Sequence, residues 1–188
     1  LAEATKALGG RVTREAALPG LTAWARVRDW RVGQIQKMPN VETYLDSRMT
    51  LDDVLEVGAR HVLVATGAAW RGDGFGVANH HPVPGSELAH VLSADDIMDG
   101  AEVAGPVVVF DDDHYYLGGV IAEKLRRDGH EVTLVTPAAE VANFTIHTLE
   151  QERVQTRILE EFTPEQVQYM VDRIPMGRTG EIDEIAAL

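Results

Sequence analysis

Apolar residues recur along this chain with two different spacings, and the alternation between them predicts an α/β order of elements. Between about Leu21 and Lys37, the residues Leu21, Trp24, Val27 and Ile35 fall near a 3.6-residue period, which predicts a helix with its tryptophans in the core. Pro39-Asn40 ends it. Val41 to Leu45 alternates as a short strand, and Leu51 to Val57 reads as a helix stopped by Gly58. His61-Val62-Leu63-Val64-Ala65 is a continuous apolar run, the pattern of a buried strand that delivers Thr66-Gly67 at its carboxyl end. At the other extreme, Leu1-Ala2-Glu3-Ala4 reads as the last residues of a strand whose beginning is missing.

Residues 68 to 92 lose periodicity and gain glycine and proline (Gly72, Gly74, Gly76, Pro82, Pro84, Gly85), which predicts a domain junction. Ser93-Ala94-Asp95-Asp96 then starts a short helix, with Ser93 as N-cap and carboxylates in the first turn, where the helix dipole favours them. After Gly105-Pro106, Val107 to Phe110 reads as a central strand, Leu117 to Arg127 as a helix stopped by Gly129, and Glu131 to Val135 as the next strand. A strand, helix, strand succession of about 30 residues is a βαβ unit, whose parallel strands imply a sheet covered on both faces. A polar helix is expected from about Thr148 to Glu160, and Thr163-Pro164-Glu165-Gln166 is a second capping signature.

Composition narrows the ligand classes. With 188 residues and 45% hydrophobic content, the chain can bury a core in one large or two small domains. The net charge of −13 and pI near 4.9 argue against nucleic acid and anionic lipid, both of which need concentrated positive charge. Small ligands or protein partners remain. There is no cysteine, so disulfides, thiolate zinc and iron–sulfur ligation are excluded for this chain. With neither a long apolar run nor the blocks of a signal peptide, the expected location is the cytoplasm.

In dinucleotide-binding folds, a carboxylate at the end of the second strand accepts from the adenosine ribose hydroxyls, and Glu3 stands where such a group would. Gly9-Gly10-Arg11 follows at a distance that suits close backbone approach to a ligand, although the same glycines fit a plain helix-terminating turn. Taken together, Glu3-Ala4, Leu8-Gly9-Gly10-Arg11-Val12, Leu18-Pro19-Gly20 and His61 to Gly67 resemble the glutathione-reductase-type flavin fold. Within it, residues 1 to 160 are most similar to the trimethylamine, dimethylamine and histamine dehydrogenases, a family that also includes the dienoyl-CoA reductases.

That resemblance implies a Rossmann-like α/β chain holding pieces of two dinucleotide-binding units. Residues 1–70 would be a partial ADP/FAD-binding unit, 71–104 a linker, and 105–160 a second unit. Glu3, Gly9, Gly10, Arg11, Ala65, Thr66 and Gly67 would line the adenine-nucleotide cleft. The family's glycine-rich phosphate turn would precede Leu1, so ADP or FAD is expected to bind weakly or not at all. FMN and an iron–sulfur cluster would belong to a separate barrel domain. The resemblance implies no catalytic residue in this segment, and an electron-transferring flavoprotein or a complementing chain as partner.

In the second unit, a phosphate-binding turn should follow Phe110, but the sequence reads Asp111-Asp112-Asp113-His114-Tyr115-Tyr116-Leu117-Gly118-Gly119. Like charges about 4 Å apart repel by roughly 1 kcal/mol in water and several times more at a protein surface, so this turn is expected to reject NAD(P)H. The carboxylates are expected to cap the following helix instead. A Mg²⁺ or Ca²⁺ site at Asp111, Asp112, Asp113 and His114 is the alternative, but the spacing lacks the alternation of a calcium loop. His80-His81 has no partner at ligand spacing and reads as solvated loop. The stretch from Phe162 to Ala186, with Pro175-Met176-Gly177-Arg178-Thr179-Gly180, is similar to the C-terminal part of short-chain dehydrogenase/reductases and is expected to be a helical tail. That family's Tyr-x-x-x-Lys pair is absent, so no proton-donating tyrosine carries over. Two patterns meeting near Glu160 suggest a fusion, a chimera or a fragment.

Overall fold

A computed structural model describes residues 1–160, and these divide into two compact units. Unit 1 comprises Leu1–Phe75 and Asn79–Val103, and unit 2 comprises Gly76–Ala78 together with the chain from Ala104 onward. The tail signature at Thr163 and the reductase-like stretch lie outside the described residues.

Unit 1 is built from short helices: α1 (Gly10–Glu15), α2 (Ala25–Lys37), α3 (Leu51–Val57) and α4 (Ala94–Met98). A 3₁₀ turn at Thr22–Trp24 leads into α2, so the helix expected from Leu21 begins tightly wound. Both α3 and α4 start with a reciprocal capping box. Thr50 Oγ1 accepts from the Asp53 amide while Asp53 accepts from Thr50, and Ser93 and Asp96 do the same. Gly58 closes α3 in the left-handed region at φ 64°, as its position predicts. The buried apolar residues of this unit are Ala16, Leu18 and Ile97.

Three expectations for unit 1 fail here. Val41–Leu45 is not a strand; it supplies one parallel bridge, Ala2 to Tyr44. His61–Ala65 is neither a strand nor buried: Leu63 is 92% exposed, and Val62 and Val64 are exposed beside it. An apolar run becomes a strand only when neighbouring strands take up its backbone groups, and none of the described residues pairs with this one. Trp24 and Trp30 are 48% and 65% exposed rather than core, because neither the 3₁₀ turn nor α2 buries a residue.

Unit 2 holds the predicted βαβ motif. Strand β1 (Val107–Phe110) runs parallel to β2 (Val132–Val135), in the register Val107 to Val132 through Phe110 to Val135. Helix α5 (Leu117–Arg127) forms the crossover, and α6 (Gln151–Glu160) packs on it after a 3₁₀ segment at Asn143–Thr148. Leu117, Val120, Ile121, Ala122 and Leu125 from α5, with Val132, Ala142 and Ile158, form its core. Gly119 permits the α5 to α6 approach, since a Cβ there would stand 2.5 Å from Ile158 Cδ1. The sheet has two strands among the described residues. Val108 and Phe110 are exposed, so β1 is not the central, doubly covered strand that its apolar run predicts. Among the described residues, no helix is long and apolar enough to cross a membrane.

Candidate functional site

The residues singled out in unit 1 are set around α1. Gly9 is its N-cap at φ 128°, and a Cβ there would meet Thr13 Oγ1 at 2.4 Å and the Arg28 side chain at 2.6 Å. This glycine is therefore required by the packing of α2 against the turn. Gly10, at φ 45°, faces open space. Next to it, Arg11 Nη2 donates to the Ala68 carbonyl at 2.6 Å and thereby joins α1 to the residue following Ala65-Thr66-Gly67. The three residues of that corner are themselves exposed, and Gly67 turns the chain at φ 77°. Glu3 follows the Ala2 bridge, and its Oε1 accepts from both the amide and the hydroxyl of Thr5, at 2.8 and 2.9 Å. Those two donors hold the Glu3 carboxyl below its ordinary range. The fold thus brings Arg11 to the Thr66-Gly67 corner, while the bonds of Glu3 run to Thr5.

Around the same helix stands a residue that the sequence pattern marked only as a first-turn acid. Asp95 on α4 accepts from the Trp70 amide at 2.6 Å, pairs with Arg14 at 3.0 Å and lies 3.4 Å from Arg11. Arg14 also pairs with Asp99, and the Arg11 guanidinium sits 5.6 Å from the centre of the Trp70 ring. One carboxylate therefore ties together α1, α4 and the segment 68–70. The N-terminal acid signal of α4 was legible; its long-range partners were not.

In unit 2 the acidic loop between β1 and α5 is ordered by its own carboxylates. Asp111 is 3% exposed, and its Oδ1 accepts from the amides of Asp113 and His114, each at 3.2 Å. Asp112 accepts from the Ala78 amide at 2.9 and 3.0 Å, where Gly76 leaves room for it. The expected capping of the helix is corrected for these two residues, since their bonds close the loop; the N-cap position of α5 is Tyr116, which makes no side-chain cap bond. Burial pushes the Asp111 carboxyl above its ordinary range, the opposite of Glu3. His114 is buried on the Phe144 ring, 5.3 Å between centres, with Nε2 3.4 Å from Asp112. Among the described residues, no group of three or more His, Cys, Asp or Glu side chains is arranged to hold a metal. His80 lies edge-on to Phe75, at 6.1 Å between ring centres.

The description "OYE-like second alpha/beta domain" matches residues 92–183. Dimethylamine dehydrogenase of Hyphomicrobium sp. (strain x) is 36% identical over 168 residues, covering 85% of this chain and 23% of that protein. Histamine dehydrogenase from Rhizobium sp. 4-9 is 48% identical, with a TM-score of 0.80 over 86% of this chain and 25% of that one. The chain is homologous to a segment of the dimethylamine and histamine dehydrogenases.

The amine dehydrogenase likeness extends to the 6-hydroxypseudooxynicotine amine oxidase from Pseudomonas geniculata N1, 48% identical with a TM-score of 0.82 over 85% of this chain and 24% of that one. A 2-naphthoyl-CoA reductase, 21% identical with a TM-score of 0.65 over 84% of this chain and 23% of that one, shares the fold. The chain spans about a quarter of the length of these proteins. In this chain, sequence reasoning missed the Asp95 hub and a second one on α5. There Glu123, a buried carboxylate, pairs with Arg127 at 2.6 Å and with Arg157 of α6. The only signal in the sequence was an acid at an otherwise apolar position of α5.

Proposed function

We propose that this chain is the adenine-nucleotide-binding and scaffolding portion of a flavin-linked amine oxidoreductase whose oxidation chemistry occurs in another part of a longer protein. ADP or FAD is the nucleotide. The observation that supports the reading is the Arg11 to Ala68 bond, which links the start of α1, after Gly9-Gly10, to the residue that follows Ala65-Thr66-Gly67. Glu3 fits the ribose role in one respect: both bonds from Thr5 fall on Oε1, and a carboxylate has a second oxygen with which to accept from a hydroxyl. Glu3 would hold the ribose, and the exposed backbone of Ala65, Thr66 and Gly67 would border the nucleotide, with Arg11 fixing the corner. A bound flavin would supply a redox-active ring; the residues of this chain bind and orient. An electron-transferring flavoprotein or a complementing chain is the proposed protein partner, and the cytoplasm the proposed location.

Titration calorimetry of the full chain with ADP and with FAD tests this. Binding heat that falls at least about tenfold in affinity in Glu3→Ala is expected, since a lost charge-assisted bond is worth about 1.5–3 kcal/mol. Absence of heat with both nucleotides would instead support a non-catalytic interaction module with a vestigial cleft, a reading favoured by the exposed apolar run Val62-Leu63-Val64.

A further inference from the structure

In a strand, loop, helix unit, the amides of the loop and of the helix's first turn form a concave array that receives a ligand's phosphate. In unit 2 that loop joins β1 to α5. Its concave amides belong to Asp113 and His114, and His114 adopts the left-handed φ of 61° that turns successive N–H groups toward one side. Both already donate to an anion from the chain itself, Oδ1 of Asp111. The other oxygen, Oδ2, is buried and accepts no bond among the described residues. The carboxylate also lies against the first turn of α5, where Gly118 makes way for it: a Cβ on Gly118 would stand 2.5 Å from Asp111 Cγ and 2.8 Å from Oδ1. The two loop donors and the space beside the helix's first turn are thus taken by one side chain.

We propose that Asp111 is a resident anion, filling the backbone nest of the β1 to α5 loop in the place of a ligand phosphate, and that a phosphate-class anion enters this nest once the carboxylate is removed. Charge repulsion from the acidic run is then the lesser reason for this loop to reject a dinucleotide; the greater is that its binding groups are occupied. Gly118 is the residue that makes the occupation sterically possible. The inference concerns unit 2 and stands apart from the nucleotide reading of unit 1.

Thermal unfolding and ³¹P line broadening of the full chain, in phosphate against chloride at matched ionic strength and pH 7, test the proposal with inorganic phosphate as the probe. Asp111→Ala is expected to gain phosphate affinity by at least about tenfold over the wild type, the scale of one recovered anion contact. Asp111→Asn, whose amide oxygen still fills the nest, is expected to stay as unresponsive as the wild type. Equal phosphate responses in wild type and Asp111→Ala would overturn the proposal. Asp111→Ser serves the same comparison if the alanine variant does not fold. Independently, Gly118→Ala should destabilise the wild type in urea but lose at least half of that effect in the Asp111→Ser background; strictly additive effects would also overturn it.

Discussion

The two units of this chain are held by different forces. Unit 1 buries three apolar side chains and is assembled by polar fastenings: two capping boxes, the Asp95 hub and the Thr5 clasp on Glu3. Unit 2 has a continuous apolar core between α5, α6 and β2, with Glu123 buried in ion pairs and Asp111 folded into a loop. The difference teaches that one chain can be stabilised by two routes, burial of area and satisfaction of helix ends. It also predicts that equivalent changes in the two units will have unequal effects.

The largest effect is expected at Glu123. Its replacement by Ala removes the ion pairs to Arg127 and Arg157 and leaves a void where a side chain only 2% exposed had stood, which should cost about 3–5 kcal/mol by urea denaturation. A loss below about 1 kcal/mol would mean that unit 2 depends on its apolar core alone. Next comes Leu125→Ala, which removes a side chain only 2% exposed and should cost about 2–5 kcal/mol. The matching change Trp30→Ala in unit 1 should fall within about 0.5 kcal/mol, because the ring is exposed. Similar losses at the two positions would erase the contrast drawn here. In unit 1, Ser93→Ala removes the N-cap acceptor of α4 and should cost about 1 kcal/mol, read as a shift of the urea midpoint.

The smallest effect is one of pH, and its sign separates the units. Hydrogen bonds depress the carboxyls of Glu3, Asp53 and Asp96, and Arg71 draws Asp73 down to about 2. Groups of this kind stabilise the fold above their ordinary pKa and lose that contribution as pH falls through the folded values, so unit 1 should weaken from about pH 4.5 toward 2. Asp111 is raised by burial, so its contribution favours the fold at acid pH and is lost as pH rises through its elevated value. Asp111→Asn, titrated in urea from pH 3 to 8, should therefore be more stable than the wild type near pH 7, with the gain shrinking toward acid. A gain that grows on acidification would contradict the burial argument.

Legibility in the sequence followed the range of the interaction. Gly58, Ser93 and the β1, α5, β2 succession were readable because caps and periodic faces are written within a few residues. The apolar run His61–Ala65 misled, since its composition is that of a strand while its environment offers no ladder. At the candidate site, Arg11 and the Thr66-Gly67 corner were nominated separately. The bond from Arg11 to Ala68 crosses 57 positions and leaves no local signature, and the same holds for Asp95 and Trp70.

By itself, then, the sequence determined where α3 and α5 begin and end, where α4 begins, that β1 and β2 are parallel, and that the loop after β1 carries negative charge where a phosphate turn would be uncharged. These follow from backbone geometry and side-chain chemistry over short spans. Only the tertiary structure decided that Asp111 turns inward onto the amides of Asp113 and His114, that Asp95 gathers two arginines, and that Trp24 and Trp30 stay exposed. Each of these outcomes depends on which distant surface arrives to desolvate a group, and a linear pattern does not contain that information.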